Sequence, residues 1–330
     1  MTMDHIAQLT NLSKATVSRA LRDSPLVTVE TKTLVVEAAT KCGYTVNKNA
    51  RKLRDKRTNT IAIALDFPSY PGQRISDPFI FELLTDIVNA LSVREQDVLL
   101  CSPVVDNALS YQNILAAKSA DGIIFLGQGD KEQILEDLAR LKAPFVVWGG
   151  VTSEPKYCTV GSDNLYGGHL VGSRFASLGY KNILFMGNSQ HLEFRLRREG
   201  MKTGLQEGGK QGKITDLTIT DFTYEASYRA AKHFLANSSG TVDAVFAVSD
   251  IMAIAFAAAL KETGRTPGKD VAIIGYNDIP VASYFSPAIS TIQQDTVKAG
   301  GLLVEKLMQI LDGFNPKSVM LPTHIVLRET

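Results

Sequence analysis

Leu12-Ser13-Lys14-Ala15-Thr16-Val17-Ser18-Arg19-Ala20-Leu21 is the stretch whose reading decides the fold. Ser13 suits a helix N-cap, and the residues after it alternate packing positions (Ala15, Val17, Ala20, Leu21) with outward polar ones (Lys14, Thr16, Ser18, Arg19). The spacing predicts a short helix from Lys14 to Arg22. Upstream, Thr2 can cap a helix running to about Leu9, with Ile6, Ala7 and Leu9 as its apolar side, and Asn11-Leu12 supplies a tight turn. Downstream, Pro25 ends the unit. A third helix, Thr28 to about Lys41, is expected to turn Leu34, Val35, Ala38 and Ala39 inward before Gly43 closes it. Two short helices joined by such a turn predict a helix-turn-helix, whose second helix enters the major groove of DNA. Donors near the start of that helix can reach base edges and hydroxyls can hold phosphates. Thr2, Ser13, Lys14, Ala15, Thr16, Ser18 and Arg19 are therefore the candidate DNA contacts in this segment.

Charge supports that reading. Residues 1 to 57 carry eleven Lys and Arg against five Asp and Glu, leaving 24 basic and 29 acidic side chains for the rest, so a net charge of +1 hides a basic head on an acidic body. The three cysteines, Cys42, Cys101 and Cys158, show no metal spacing and fit reduced thiols in the cytoplasm. No apolar run is long enough to span a membrane, and Asp4-His5 interrupts any signal-peptide core. A cytoplasmic location without membrane attachment is expected.

From residue 58 onward, apolar strand-like runs alternate with amphipathic segments. Strands are expected at Ile61–Asp66, Val98–Ser102, Gly122–Leu126 and Phe145–Trp148, with helices near 78–94, 107–119 and 131–141. The pattern repeats with strands at Ile183–Met186, Leu217–Ile219, Ala244–Val248 and Val271–Ile274 and helices near 163–178, 193–207, 224–236 and 249–263. Such alternation argues for parallel sheets covered by helices, and two similar series for two lobes of like topology.

Thr16-Val17-Ser18-Arg19-Ala20-Leu21, Val27 through Tyr44, and Asn47-x-x-Ala50-Arg51-x-Leu53 together resemble the LacI/GalR family of bacterial transcription regulators. The resemblance implies a helix-turn-helix domain over 1–46, a hinge helix over 47–57 and an effector-binding domain over 58–330. That last part takes the fold of periplasmic sugar-binding proteins (type I), a two-lobed, doubly wound α/β architecture. The tail, from Thr291-Ile292-Gln293-Gln294-Asp295 onward, resembles the segments by which the family crosses between lobes, which divides the body into about 58–160 with 292–321 and about 161–291 with 322–330. By the same resemblance Asn47, Ala50, Arg51, Leu53 and Arg54 belong to a hinge that orders on DNA and wedges Leu53 into the minor groove. Physics supports such a wedge: an apolar side chain flanked by Arg51, Lys52 and Arg54 can unstack a base step while the cations meet phosphates. Val46 stands where many members have proline.

Ligands of open parallel sheets bind beyond the carboxyl ends of the strands. Phe79, Asp163, Arg197, Phe222, Ser249 and Asn277 qualify by that geometry and match effector-contacting positions of the family. Rings, a carboxylate, a guanidinium, a hydroxyl and an amide suit a carbohydrate with vicinal hydroxyls. Asn277 stands where several relatives have aspartate, and Trp148, the one tryptophan, could stack on a sugar. Plainer roles stay open: Phe79, Phe222 and Trp148 as packing rings, Asp163 and Ser249 as helix caps, Arg197 in an ion pair with Glu193 or Glu199.

Gly208-Gly209-Lys210-Gln211-Gly212-Lys213 lacks phosphate-loop spacing and is expected to be an exposed turn. The five histidines show no paired metal spacing, and no nucleophile elbow appears. Neither catalysis nor a cofactor is expected. The sequence is read as a repressor that binds a palindromic operator in double-stranded DNA as a homodimer, controlled by a small-molecule effector, most simply a sugar. A nucleobase or nucleoside effector, or gating by a phosphocarrier protein, are the rival readings. The chain closes at Thr330 without a heptad helix, which favours a dimer over a tetramer.

Overall fold

A computed structural model of the chain describes residues 2–21, 23–44, 57–65, 77–101, 107–129, 131–209, 212–237 and 242–330. The chain divides into two compact units, Met1–Thr58 and Asn59–Thr330.

The first unit packs α1 (Met3–Thr10), α2 (Lys14–Ala20) and α3 (Val29–Lys41) around Ile6, Val17, Ala20, Val35 and Ala39. Asn11 takes the left-handed conformation (φ 52°) that ends α1, and the Leu12 N–H closes the turn on the Ala7 carbonyl. Ser13 caps α2 by accepting from the Thr16 N–H at 3.1 Å. Three expectations need correction, the first being Leu9, which is 58% exposed while α1 packs through Ile6 and Ala7. Thr2 holds the N-cap position of α1 but makes no side-chain cap bond. Leu34 is 48% exposed, because the inward stripe of α3 runs through Val35 and Ala39 while Ala38 packs at its margin.

The second unit holds two six-stranded sheets. Its first series is β1 (Thr60–Leu65), α4 (Pro78–Ser92), β2 (Asp97–Cys101), α5 (Ala108–Ala116), β3 (Gly122–Leu126), α6 (Glu132–Arg140), β4 (Phe145–Trp148) and β5 (Thr159–Ser162). The second is α7 (Asn164–Ser177), β6 (Asn182–Met186), α8 (Leu192–Glu207), β7 (Lys213–Leu217), α9 (Tyr224–Asn237), β8 (Ala244–Ala247), α10 (Asp250–Glu262), β9 (Ala272–Asn277), α11 (Pro280–Tyr284) and β10 (Ser290–Gln293). The tail adds α12 (Thr296–Leu311), β11 (Val319–Leu321) and β12 (His324–Val326).

Strand order is β11-β5-β4-β3-β1-β2 in one sheet and β12-β10-β9-β8-β6-β7 in the other. All pairings are parallel except β10 with β12. Central strands such as β1, β3, β4 and β8 are buried along their whole length, as their unbroken apolar sequences require of strands covered on both faces. The chain passes between lobes three times. Gly161 and Ser162 still pair with Met320 and Leu321 in the first sheet, and the helix after them, α7, packs on α8 of the second lobe. Beyond β10, α12 packs back on α4 of the first lobe. The last passage lies between β11 and β12.

The edge strand β7 covers Lys213–Leu217, four residues ahead of the expected Leu217–Ile219. Its alternating, half-exposed Lys-Ile-Thr-Asp-Leu lacks the apolar run that marks an inner strand, whereas Ile219 is buried outside the ladder. The strand β5 has no counterpart among the expected strands, because Thr-Val-Gly-Ser is short and half polar.

Candidate functional site

At the head, α2 presents Lys14, Ala15 and Arg19 as exposed or partly exposed side chains, with Thr16 and Ser18 beside them. Ser13 and Thr16 share a hydroxyl hydrogen bond of 2.8 Å, so the capping group and its partner sit together at the start of the helix. Thr2 is exposed. These are the residues of the head that the sequence nominated for DNA. Asn47, Ala50, Arg51, Leu53 and Arg54, read as hinge contacts, lie outside the described residues.

In the body, the switch of strand order falls between β1 and β3 in one sheet and between β6 and β8 in the other. Open α/β sheets place ligands at this point. Phe79 follows β1 in the first turn of α4, where the Asp77 carboxylate accepts from its N–H at 3.0 Å. Its ring stands 6.0 Å from that of Trp148 at the end of β4, and both are nearly buried, so each serves as packing within the first lobe.

In the second lobe Arg197 is the centre. Its Nε donates to Asn164 Oδ1 at 2.8 Å and its Nη1 to the Val248 carbonyl at 2.6 Å, so these bonds reach other elements than its own helix. The guanidinium lies 3.6 Å from the centre of the Tyr276 ring and 5.2 Å from that of Phe194. Burial pulls its pKa below the usual value, opposed by Tyr276, Glu193 and Asp77. In the first lobe, burial pushes the Asp77 carboxyl up, against its bond from Phe79 and the attraction of Arg197.

Close packing sets that position. Helices α7 and α8 meet through Gly168, Gly172, Gly200 and Gly204, where an added Cβ would lie 1.9–2.3 Å from a backbone carbonyl of the facing helix. Only glycine permits two helix backbones to approach this far. Asn164 on α7 and Arg197 on α8 are thereby held in hydrogen-bonding reach.

Asp163 and Ser249 both act as helix caps. Asp163 Oδ1 accepts from the Tyr166 N–H at 2.9 Å and Ser249 Oγ from the Met252 N–H at 3.4 Å. Each still stands past the carboxyl end of its strand, β5 or β8, so capping and a place at the cleft coincide. Asn277 closes β9 in a left-handed conformation (φ 113°), and its Oδ1 accepts from Gln294 Nε2 at 2.8 Å. Phe222, half-buried beyond β7, packs edge-on against Phe194 and His191. The structure therefore groups Asp163, Arg197, Phe222, Ser249 and Asn277 at the carboxyl ends of the strands, with Phe79 and Trp148 as a separate ring pair.

Several neighbours of these residues carry no local signal. Asp77 was detectable as the cap before Pro78-Phe79, but Asn164, His191, Phe194 and Tyr276 gain their place only from packing. Asp250, at the start of α10, is fully buried. It accepts from the Thr291 hydroxyl at 2.5 Å and the Ile279 N–H at 2.9 Å, and burial pushes its carboxyl up to about 8. Among the described residues no group of three His, Cys, Asp or Glu side chains could hold a metal ion, and no helix is long and apolar enough to cross a membrane.

Residues 2–47 match the profile of "Bacterial regulatory proteins, lacI family", and residues 173–330 that of the "Periplasmic binding protein-like domain". The chain is 28% identical to the HTH-type transcriptional regulator CelR of Thermobifida fusca, over 100% of its own length and 98% of that relative's. A solved transcriptional regulator CelR–cellobiose complex aligns with a TM-score of 0.71 at 26% identity, over 100% of this chain and 99% of that one. The lac repressor dimer bound to operator and an anti-inducer shares the fold, with a TM-score of 0.84 at 21% identity over 100% and 98% of the two chains.

Proposed function

From the premise that the chain belongs to the lacI family of bacterial regulatory proteins, and is a DNA-binding transcriptional regulator rather than an enzyme, we propose that it is a cytoplasmic repressor whose operator affinity is set by a small carbohydrate held between the two lobes of its body. The head, 1–46, reads a half-site. A homodimer reads a palindrome, because one short recognition helix contacts too few base pairs alone. The hinge, 47–57, couples the head to the body, 58–330, through an ordering step that the lobes favour or oppose.

The observation that carries the effector reading is the mounting of Arg197. Its Nε and Nη1 are fixed by Asn164 and Val248, and its faces are covered by Tyr276 and Phe194. Asp163, Ser249 and Asn277 are the chain neighbours of Asn164, Val248 and Tyr276, the residues that hold the guanidinium. Donors and acceptors in alternation, next to rings, match the hydroxyl rows and apolar faces of sugars. The cellobiose in the CelR complex is consistent with that class. The lobes supply the linkage: a ligand that contacts both stabilises one lobe arrangement, and only that differential affinity can shift the operator-binding equilibrium.

Fluorescence anisotropy of the full chain on fragments of its own genome, selected for binding, tests this with and without pools of sugars. Release or tightening on one palindromic site by a sugar pool is the expected result. Specific binding that responds only to nucleosides or to a phosphocarrier protein would replace the carbohydrate reading. Absence of any binding above background at physiological salt would overturn the reading of the head.

A further inference from the structure

Asp4 is the one acidic residue in positions 1 to 21, a segment whose cationic side chains are Lys14 and Arg19. The candidate DNA contacts of the head do not include it. The structure seats it against one of them. Its Oδ2 accepts from Lys14 Nζ at 2.8 Å, which ties the first turn of α1 to α2 across ten positions of sequence. The turn between the helices sets this pairing. Asn11 in the left-handed conformation and the Leu12 N–H on the Ala7 carbonyl fix the angle of α2 to α1, and Ile6 and Val17 share the core of the head. The Lys14 and Asp4 side chains are 60% and 62% exposed, so the pair lies open to a ligand.

An exposed ion pair adds little to stability. A carboxylate close to phosphates also weakens DNA binding, because it repels them. What the pair offers is a matched donor and acceptor. One N–H of the Lys14 ammonium goes to Asp4 and two remain, while Oδ2 takes that bond and Oδ1 remains as an acceptor.

In the major groove a G·C pair shows the complementary set. Guanine O6 and N7 are neighbouring acceptors, and the cytosine N4 amino group is a donor beside O6. O6 and N4 are hydrogen-bonded to each other at about 2.9 Å, which matches the 2.8 Å between Nζ and Oδ2. The protein pair and the base pair can therefore meet edge to edge, ammonium on guanine and carboxylate on cytosine. An A·T pair serves less well, since thymine O4 is a single acceptor with the C5-methyl group beside it. Asp4 also holds the flexible lysine stem in place before DNA arrives, which lowers the ordering cost of the contact.

We propose that Asp4 and Lys14 together read one G·C base pair in each operator half-site, with Asp4 as a specificity-determining residue. Lys14 donates to guanine O6 and N7, and Asp4 accepts from cytosine N4. This inference rests on the head reading a half-site through α2 and is independent of the effector.

Anisotropy of the full chain tests it on a genomic fragment selected for binding, with each base pair of one half-site replaced in turn. The parent should lose about tenfold in affinity when one particular G·C pair becomes A·T, the factor that one good base contact supplies. Asp4→Ala should lose less than about threefold at that position and keep the parent's preferences at the others, which also shows the head to be folded. It should bind nonspecific DNA at least as tightly as the parent, since a charge that repels phosphates is gone. Lys14→Ala should lose the same preference and bind all DNA more weakly. Asp4→Ala that keeps the parent's preference at every position overturns the proposal, whether or not its affinity rises on all DNA alike. Relaxation confined to an A·T position overturns the assignment to G·C. A parent that binds no fragment above nonspecific background overturns the reading of the head itself.

Discussion

Gly168 and Arg197 meet backbone to backbone: a Cβ added to Gly168 would stand 2.0 Å from the Arg197 carbonyl oxygen. The contact fixes where the guanidinium of Arg197 projects, because α8 cannot move off α7 without opening the rest of the glycine seam. Gly168→Ala should therefore destabilise the body by at least about 2 kcal/mol and blunt the effector response together. Gly301→Ala is the control: that helical position is open, with nothing within 4 Å of an added Cβ. The control should be neutral or stabilising by about 0.4–1 kcal/mol. Urea midpoints of the two variants decide, and a Gly168→Ala midpoint equal to the control's would show the seam to be slack.

Arg197→Ala removes the donor edge while leaving the head untouched. Operator binding should persist within a fewfold, and the shift caused by effector should vanish. Arg197→Lys should fail as well, because an ammonium can neither bond Asn164 and Val248 at the same spacing nor spread over the Tyr276 ring. Anisotropy titrations with and without effector measure both quantities. A retained response in Arg197→Ala would move the effector site elsewhere.

Asp250 makes stability depend on pH. Its carboxyl is pushed up to about 8 by burial in the native state, against an ordinary aspartate value of 3.8. The native state therefore binds a proton that the unfolded chain has released between about pH 4 and 8, so this group's contribution falls as pH rises through that window and levels off above it. Asn in its place keeps a partner for Thr291 and for the Ile279 N–H without a charge to bury. The melting temperature of Asp250→Asn relative to the parent should rise from pH 5 to about pH 8 and level off above it. A difference that stays flat across that range would mean that Asp250 is ionised throughout.

The head offers a cleaner separation of stability from recognition. Ser13→Ala removes the α2 cap and should destabilise the first unit by about 1 kcal/mol. Arg19→Ala leaves that cap in place, so the head should keep its stability and lose affinity for DNA. Leu53, outside the described residues, is expected from sequence alone to act as a wedge. Leu53→Ala should weaken operator binding far more than nonspecific binding, and equal losses in salt-matched titrations would sink the wedge.

Local rules make the helix-turn-helix legible in the sequence. Capping at Ser13, the turn at Asn11 and the apolar spacing of Ile6, Val17 and Val35 are all satisfied within a few residues of chain. The alternation of buried strands and helices is equally readable, because an inner parallel strand must be apolar on both faces. Legibility ends where that requirement lapses, at the edge strand β7 and the short β5, and where one residue decides which face turns inward, at Leu34.

The sequence by itself determined the alternation of the inner strands and long helices and the two repeats of the body, but not β5, the place of β7 or the short α11, since the former depend on short-range periodicity. Tertiary structure alone decided how the site residues meet. No spacing in the chain links Arg197 to Asn164, to Val248 or to Tyr276, which lie 33, 51 and 79 positions away along the sequence. They come together because a seam of glycines lets two helices touch and because parallel strands bring their carboxyl ends to one edge. The same edge gathers His191, Phe194 and Phe222. Chemistry there belongs to a surface formed by distant segments, and the physical reason is packing, which no local rule encodes.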